Sequence, residues 1–224
     1  MTMELKTDEE LFEFLERNAY AAAFSDILDE MNLRRQIVSP EARIRPLDES
    51  YVALGRAVTL VNDEDSRMEE PYELVIRCID ELTRNTILVT TGRNCFETGI
   101  MGELTATALR ARGCRAAVVN GYTRDARKLI KMNYPTFAWG ASPIDTTGRV
   151  RVVEYNVPIT IGGVTIKPGD LVFADLDGIA VIPKEIEKEV VPLVIARVST
   201  ENMVRRELAE GKRMSDVWSK YHVL

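Results

Sequence analysis

The sequence predicts an α/β domain in which a parallel β-α-β core is joined to antiparallel strands, with helical segments at both ends. Three observations carry that prediction. Short β-branched apolar runs alternate with stretches of helical periodicity between Thr86 and Trp139. Gly-Gly and Asp-Gly pairs sit between apolar runs from Val157 to Ile182, as hairpin turns do. A capping box opens a helical pattern near the start, and another long helical pattern follows Lys184.

Thr7-Asp8-Glu9-Glu10 places a Glu three residues after a capping Thr and opens a helical region to about Met31, with a break near Asn18 to Ala21. Tyr51 to Val61 reads as a strand. Pro71 suits the first turn of a helix whose Leu74, Val75, Cys78, Ile79 and Leu82 share a face. Thr86 to Thr90 is a buried strand, followed by a loop from Thr91 to Met101 and a helix from Gly102 to Arg112 that Gly113 stops. Ala116 to Asn120 is the next strand and Gly121-Tyr122-Thr123 a loop. A helix from Arg124 to Met132 exits at Pro135 into the strand Thr136 to Trp139. Val157 to Ile161 and Val164 to Ile166 form a hairpin about Gly162-Gly163, and Lys167 to Asp170 a turn. Leu171 to Ala174 pairs with Ile179 to Ile182 about Asp177-Gly178. Lys184 to Glu210 is helical, although Pro192 should bend or interrupt it. No repeat or Gly/Ser linker divides the chain, so residues 1–224 are read as one domain, with helical regions at 7–31 and 184–210.

Composition narrows the chemistry. The chain has 224 residues, 46% of them hydrophobic, enough for one well-buried core. The net charge is −6 and the basic residues are scattered, which gives no footprint for nucleic acid. The charged N-terminal residues lack a secretory apolar run, and no stretch approaches the roughly 20 apolar residues that span a bilayer, so no membrane partner is expected and a cytoplasmic location is. Cys78, Cys95 and Cys114 form no CxxC pair and are expected to be inert buried thiols. His222 is the single histidine, which argues against multi-His metal sites and against a Ser-His-Asp triad. Carboxylates, arginines, backbone amides and a hard metal remain.

In a right-handed β-α-β unit, successive parallel strands present their C-terminal ends at one sheet edge, where ligands bind. The loop after one strand leads to Gly102-Glu103-Leu104-Thr105 at a helix start, and the loop after the next ends at Arg124-Asp125. The twenty residues between Glu103 and Arg124 are a helix leading away and a strand leading back. The topology therefore brings a helix N-terminus, two acidic residues and an arginine together. Free amides at the helix start suit a substrate carboxylate, Asp125 suits a divalent cation that keeps most of its waters, and Arg124 suits an oxyanion. Each residue also has a plain structural use: Glu103 as a macrodipole partner, Asp125 as a helix cap, and Arg124 in a surface ion pair worth under about 1 kcal/mol.

Gly102-Glu103 followed after twenty residues by Arg124-Asp125 resembles the acidic-X20-Arg-Asp signature of the RraA-like proteins, the 4-hydroxy-4-methyl-2-oxoglutarate aldolase family. Gly55-Arg-Ala-Val-Thr59, Ala108-Leu-Arg-Ala-Arg-Gly113, Asn120-Gly-Tyr-Thr-Arg-Asp125 and Pro168-Gly-Asp-Leu-Val-Phe-Ala-Asp-Leu-Asp-Gly178 match the family in the same order. The resemblance covers roughly residues 20 to 210. It implies a swivelling β/β/α fold, a homotrimer or homohexamer, and an Mg²⁺- or Mn²⁺-dependent aldolase acting on a small 2-oxo acid without a Schiff base. By the same resemblance Asp125 anchors the metal, Arg124 faces the 2-oxo oxygen, amides from Gly102 to Thr105, including that of Leu104, hold the carboxylate, and Glu103 orients water in the metal shell. Retro-aldol cleavage and oxaloacetate decarboxylation both form the pyruvate enolate, which metal and arginine stabilise. A neighbouring subunit is implied to supply the base, and Glu201 is the matching acidic residue, in register with Val190, Val194 and Val198. Its competing use is an i,i+4 pair with Arg197 or Arg205.

The sequence departs from the family at Thr91-Gly-Arg-Asn-Cys-Phe-Glu-Thr98, which lacks a glycine run before the site. Two other functions fit the resemblance: a non-catalytic regulator that binds an RNA-degrading endonuclease, against which Asp125 counts, and an enzyme of the same fold acting on a sugar acid. Asp175-Leu-Asp177-Gly178 reads as a turn rather than a calcium loop, since the later ligands are missing. Gly162-Gly163 is likewise a turn, not a phosphate cradle. No nucleotide fingerprint supports methyl transfer, a reaction with which the family is sometimes labelled.

Overall fold

The computed structural model describes residues 7–93 and 97–223. The charged segment before Thr7, Cys95 and part of the loop preceding the site lie outside the described residues. The chain opens with α1 (Asp8–Asn18) and α2 (Ala21–Glu30), separated at the expected break. Thr7 caps α1 by accepting the Glu10 N–H at 3.2 Å. After a 3-10 turn at Pro40–Ala42 come β1 (Arg45–Pro46), β2 (Ala53–Glu64), α3 (Glu73–Asp80), β3 (Thr86–Arg93), α4 (Glu103–Ala111) and β4 (Cys114–Val119). Then follow β5 (Tyr122–Thr123), α5 (Ala126–Lys131), β6 (Thr136–Ala138), β7 (Gly140–Ala141) and β8 (Val150–Tyr155). The hairpin β9 (Ile159–Ile161) and β10 (Val164–Ile166) precedes β11 (Leu171–Ala174), β12 (Ile179–Ile182), α6 (Glu187–Ala209) and α7 (Met214–Tyr221).

Among the described residues the main sheet has eight strands in the order β1-β6-β4-β3-β2-β11-β12, with β8 paired to the far half of β2. Strands β2, β3, β4 and β6 are mutually parallel, as the alternating pattern predicts. Because the order advances steadily from β2 to β6, right-handed crossovers place α3, α4 and α5 on one face. That face buries Leu88, Leu109, Ala117 and Leu129. Farther along the sheet α1, α2 and α6 pack over β11 and β12 through Phe12, Phe24, Phe173 and Val194. The opposite face is covered by the β9-β10 hairpin, whose Ile159, Ile161, Val164 and Ile166 meet Ile87, Val118 and Val181. The three layers are sheet ribbon, sheet and helices, which is the expected β/β/α arrangement.

Several features differ from the sequence expectation: Tyr122 and Thr123, read as loop, form β5, and the two-residue strands β1 and β7 were not foreseen. Pro192 neither breaks nor ends α6, which runs unbroken from Glu187 to Ala209. Pro192 and Lys188 are both exposed, so the Lys188 carbonyl left without its donor faces water. β8 was not foreseen; it pairs antiparallel with Leu60 to Glu64 of β2, across a register shift at Val61/Asn62. α7 was also not foreseen, and it docks on α6 through Glu207, whose carboxylate accepts from Lys220 at 2.7 Å and from Tyr221 at 3.1 Å.

Cys78 and Cys114 are buried, as expected for inert thiols, and burial pushes the Cys78 thiol up to about 11. Asp175 uses its side chain to accept from the N–H groups of Ala21, Asp177 and Gly178, so this stretch is the turn it was read to be. No helix among the described residues is long and apolar enough to cross a membrane.

Candidate active site

The carboxyl edge of the parallel strands carries a second, smaller layer of pairing. Beyond β4, Tyr122 and Thr123 of β5 pair in parallel with Gly140 and Ala141 of β7, and Tyr122 bridges to Gly99 on the other side. Three loops, each following a different strand of the sheet, are thereby fastened to one another. Ile100 donates to the Tyr122 carbonyl at 2.9 Å, Arg124 to the Met101 carbonyl at 2.7 Å, and Ser142 to the Thr123 carbonyl at 2.8 Å. The buried Thr123 hydroxyl adds a 2.5 Å bond to the Met101 carbonyl. Arg124 therefore leaves a rigid backbone, although the sequence pattern counted it as the first residue of a helix.

Asp125 precedes α5 in the left-handed region, at φ 57° and ψ 28°, a conformation Asp adopts more readily than most residues. Its side chain makes no capping bond to α5. Instead its Oδ2 accepts the Glu103 N–H, at the first turn of α4, at 3.3 Å. The carboxylate thus lies at the positive end of the α4 dipole. Gly102 makes this approach possible: a Cβ there would fall 2.7 Å from Asp125 Oδ2 and 2.7 Å from Arg124 Cγ. Gly99 does the same for the Arg124 backbone, since its Cβ would lie 2.7 Å from Arg124 Cβ and 2.6 Å from the Ser142 carbonyl oxygen. Beyond Glu103, the amides of Leu104 and Thr105 have no acceptor one turn back within α4 and are available to an anion.

Arg124 is flanked by two carboxylates. Its Nη1 donates to Asp145 Oδ1 at 2.5 Å, and its Nε lies 3.8 Å from Asp125 Oδ2. All three side chains keep about a third or more of their surface exposed, so the pairs contribute little to stability. Asp145 was not singled out from the sequence. It comes from the loop after β7, and an acidic residue there carries no local signal until that loop is seen docked beside Arg124. These groups open into a cleft of about 420 Å³, walled on the far side by Tyr72 just before α3, Ile76 of α3 and Leu104 of α4.

The carboxylates of Glu103 and Glu201 do not line this cleft within one chain. The Glu103 backbone is at the site, but its carboxylate turns to Lys128 at 3.6 Å and to the Thr107 hydroxyl at 3.3 Å. It does not line the cleft that Arg124 and Asp125 share. Glu201 lies on α6, at the β11-β12 end of the sheet, and does not line that cleft within one chain either. The suggested i,i+4 partners are engaged elsewhere: Arg197 pairs with Asp26 and Glu30 of α2, and Arg205 donates to Asn202. Glu201 has no ion pair among the described residues, and burial holds its pKa above the usual carboxylate range, with Arg205 opposing.

Among the described residues no group of three or more Asp, Glu, His or Cys converges as a metal cage. The donor set fits a hydrated hard cation instead. Asp125 offers one partly exposed carboxylate beside a cleft with room for water and substrate oxygens, and such cations commonly hold protein through one or two carboxylates.

A β/β/α sheet whose carboxyl edge sets an Arg-Asp pair against a glycine-started helix defines the class of fold and site. The RraA-like family model, described as Aldolase/RraA, matches residues 21–181, and the chain belongs to that family. It is 30% identical over 168 residues to a protein of Halalkalibacterium halodurans, covering 75% of this chain and 77% of that one. That relative carries 4-hydroxy-4-methyl-2-oxoglutarate aldolase as a provisional name. Protein DlpA of Legionella pneumophila is 30% identical over 205 residues, which cover 91% of this chain but only 32% of DlpA, so the chain spans about a third of that relative. Among solved structures, Streptomyces coelicolor RraAS2, described as an unusual member of the RNase ES inhibitor RraA family, superposes with a TM-score of 0.76. It is 28% identical, over 89% of this chain and 97% of that one.

Proposed function

We propose that the protein is a divalent-metal-dependent lyase that cleaves a 4-hydroxy-2-oxo acid to release pyruvate. The observation that carries this reading is the Arg124-Asp125 corner packed on the N-terminus of α4, at a distance only glycine at 102 permits. That corner offers a cation, a carboxylate and free amides within one small space, which are the groups a 2-oxo carboxylate needs.

In this reading the amides of Leu104 and Thr105 bind the substrate carboxylate, and Arg124 donates to the 2-oxo oxygen. Asp125 would hold Mg²⁺ or Mn²⁺, which when bound supplies positive charge to the oxygens of the 2-oxo acid. The C3–C4 bond breaks, its electron pair passes into the 2-oxo group as an enolate, and the 4-hydroxyl becomes a carbonyl as it loses its proton. Protonation at C3 then gives pyruvate. Arg124 stabilises the charge that develops on the 2-oxo oxygen, and Asp145 keeps its guanidinium pointed there. Oxaloacetate decarboxylation forms the same enolate with loss of CO₂ and belongs to the same reading. The reading also includes a cyclic trimer or hexamer in which Glu201 of one subunit approaches the cleft of the next and takes the 4-hydroxyl proton.

The test is a pyruvate-release assay over 4-hydroxy-2-oxo acids and oxaloacetate, with and without metal. Activity should vanish in excess EDTA and return with Mg²⁺ or Mn²⁺. Arg124→Ala should lower turnover by roughly 10²–10³-fold, the scale of a lost oxyanion donor, while Asp125→Ala should mainly weaken metal binding. Full turnover in EDTA, or an imine trapped by borohydride, would sink the reading. The likeness to RraAS2 favours one alternative, a regulator of an RNA-degrading endonuclease. Co-purification with such a nuclease, with no pyruvate from any substrate, would support it.

A further inference from the structure

Glu103 faces two ways at the first turn of α4. Its N–H is given to Asp125 Oδ2 at 3.3 Å, so the Glu103 backbone is fixed beside the carboxylate assigned to the cation. Its own carboxylate lies outside the cleft, in a shallow surface dish formed with Thr107, Lys128, Lys131 and Met132. Two contacts hold it there, and both are weak. Lys128 Nζ stands 3.6 Å from Oε2, and the lysine side chain is 64% exposed. The Thr107 hydroxyl is 3.3 Å from Oε1 but has a shorter bond, 2.9 Å, to the Glu103 carbonyl. Solvent screens an ion pair of this kind, so it is easily exchanged for a stronger one. Helical side chains lean toward the start of their helix, and Asp125 sits at the start of α4. Rotation about the Glu103 side-chain torsions, with no backbone movement, can therefore carry its carboxylate from Lys128 to Asp125.

We propose that Lys128 competes with the divalent cation for the Glu103 carboxylate, and so sets how tightly the site holds the ion. The proposal rests on Asp125 holding that cation. Turned toward Asp125 alone, Glu103 would set two carboxylates side by side, and their repulsion favours Lys128. Arg124 offsets only part of it, being shared already by Asp125 and Asp145. A cation at Asp125 reverses the sign of the interaction. Glu103 then joins through the waters that a hard cation keeps, and Lys128 loses its partner. The free energy of breaking the Lys128 pair is subtracted from cation affinity. A lysine that does not line the cleft thereby tunes the ion within it.

The Mn²⁺ affinity of the full chain, read from the electron paramagnetic resonance signal of the free ion, tests this without any substrate. Lys128→Met should tighten binding about three- to fivefold, the scale of an exposed ion pair removed from competition. Lys131→Met removes the same charge from the same dish and should change affinity by about twofold at most. Glu103→Gln should weaken binding about tenfold, as loss of a group that orders the waters of a bound metal does. In that background Lys128→Met should gain nothing. Native circular dichroism in each variant excludes a folding effect. Equal tightening by Lys128→Met and Lys131→Met reduces the effect to general charge and overturns the proposal. So does native affinity in either Lys128→Met or Glu103→Gln, or a Lys128→Met gain that persists in full beside Glu103→Gln. Mn²⁺ binding that survives Asp125→Ala undiminished, or no binding by the unmodified protein, overturns the placing of the cation and this proposal together. The expected pattern with no pyruvate released from any 4-hydroxy acid would remove the lyase reading and leave the competition standing.

Discussion

Gly102 holds the site together by having no side chain. Its backbone is extended, at φ −132° and ψ −172°, so alanine is not conformationally strained there. The cost is steric, because the added Cβ would fall 2.7 Å from both Asp125 Oδ2 and Arg124 Cγ. Gly102→Ala should therefore fold with a near-unchanged melting temperature yet lose turnover by about 10²-fold, the scale of a misplacement near 1 Å. A pyruvate-release assay beside a thermal melt checks this, and native turnover would show that the Arg-Asp corner is not where chemistry occurs. At this scale the sequence was informative where function follows from connectivity. Residues 102–105 and 124–125 meet because a helix and a strand of known lengths separate them. Asp145 and the α3 wall were not legible, since each reaches the cleft from a loop or helix whose docking is set by distant contacts. The direction of the Glu103 carboxylate was also beyond the pattern, because Lys128 on α5 decides it.

At the scale of elements, what escaped the sequence is what long-range pairing creates. α7 buries only Val217 among its eight residues, too little for a periodic signal. Its attachment is electrostatic: Glu207 on α6 accepts from Lys220 and Tyr221 of α7 and also pairs with Lys212 at 3.1 Å. Lys220 and Lys212 hold the Glu207 carboxyl down to about 2, from an ordinary 4.5. Since its folded pKa lies below the unfolded value, this contact contributes fully above about pH 4.5 and is lost as the pH falls toward 2. Trp218 of α7 reports the outcome. In a Trp139→Phe background its emission should shift across that acid window, and Glu207→Gln should show the shifted emission already at pH 7. A Glu207→Gln protein with native emission throughout would mean that packing, not charge, docks α7. β8 escaped for a related reason. Its alternation of buried and less buried residues is present, but its partner is the far half of β2, nearly a hundred residues earlier.

At the scale of the whole molecule, the cleft is partly open to solvent, and water there would weaken the field of Arg124. The exposed Leu104 and Ile76 at its rim leave apolar surface for a neighbour to cover without displacing the polar corner. On α6, Glu201 is half-buried, lacks an ion pair among the described residues and lies outside its own chain's cleft. A carboxyl in that setting has little structural use in a single chain. In a closed cyclic ring the same helix would face a neighbouring site, and cyclic symmetry would repeat one such contact at every interface. Sedimentation should therefore show a trimer or a dimer of trimers. Glu201→Gln should leave that assembly and the Mn²⁺ affinity intact while lowering turnover, because only the proton acceptor changes. An active monomer, or a Glu201→Gln protein with native turnover, would detach Glu201 from catalysis. Disassembly without loss of activity would show that the ring only supports the fold.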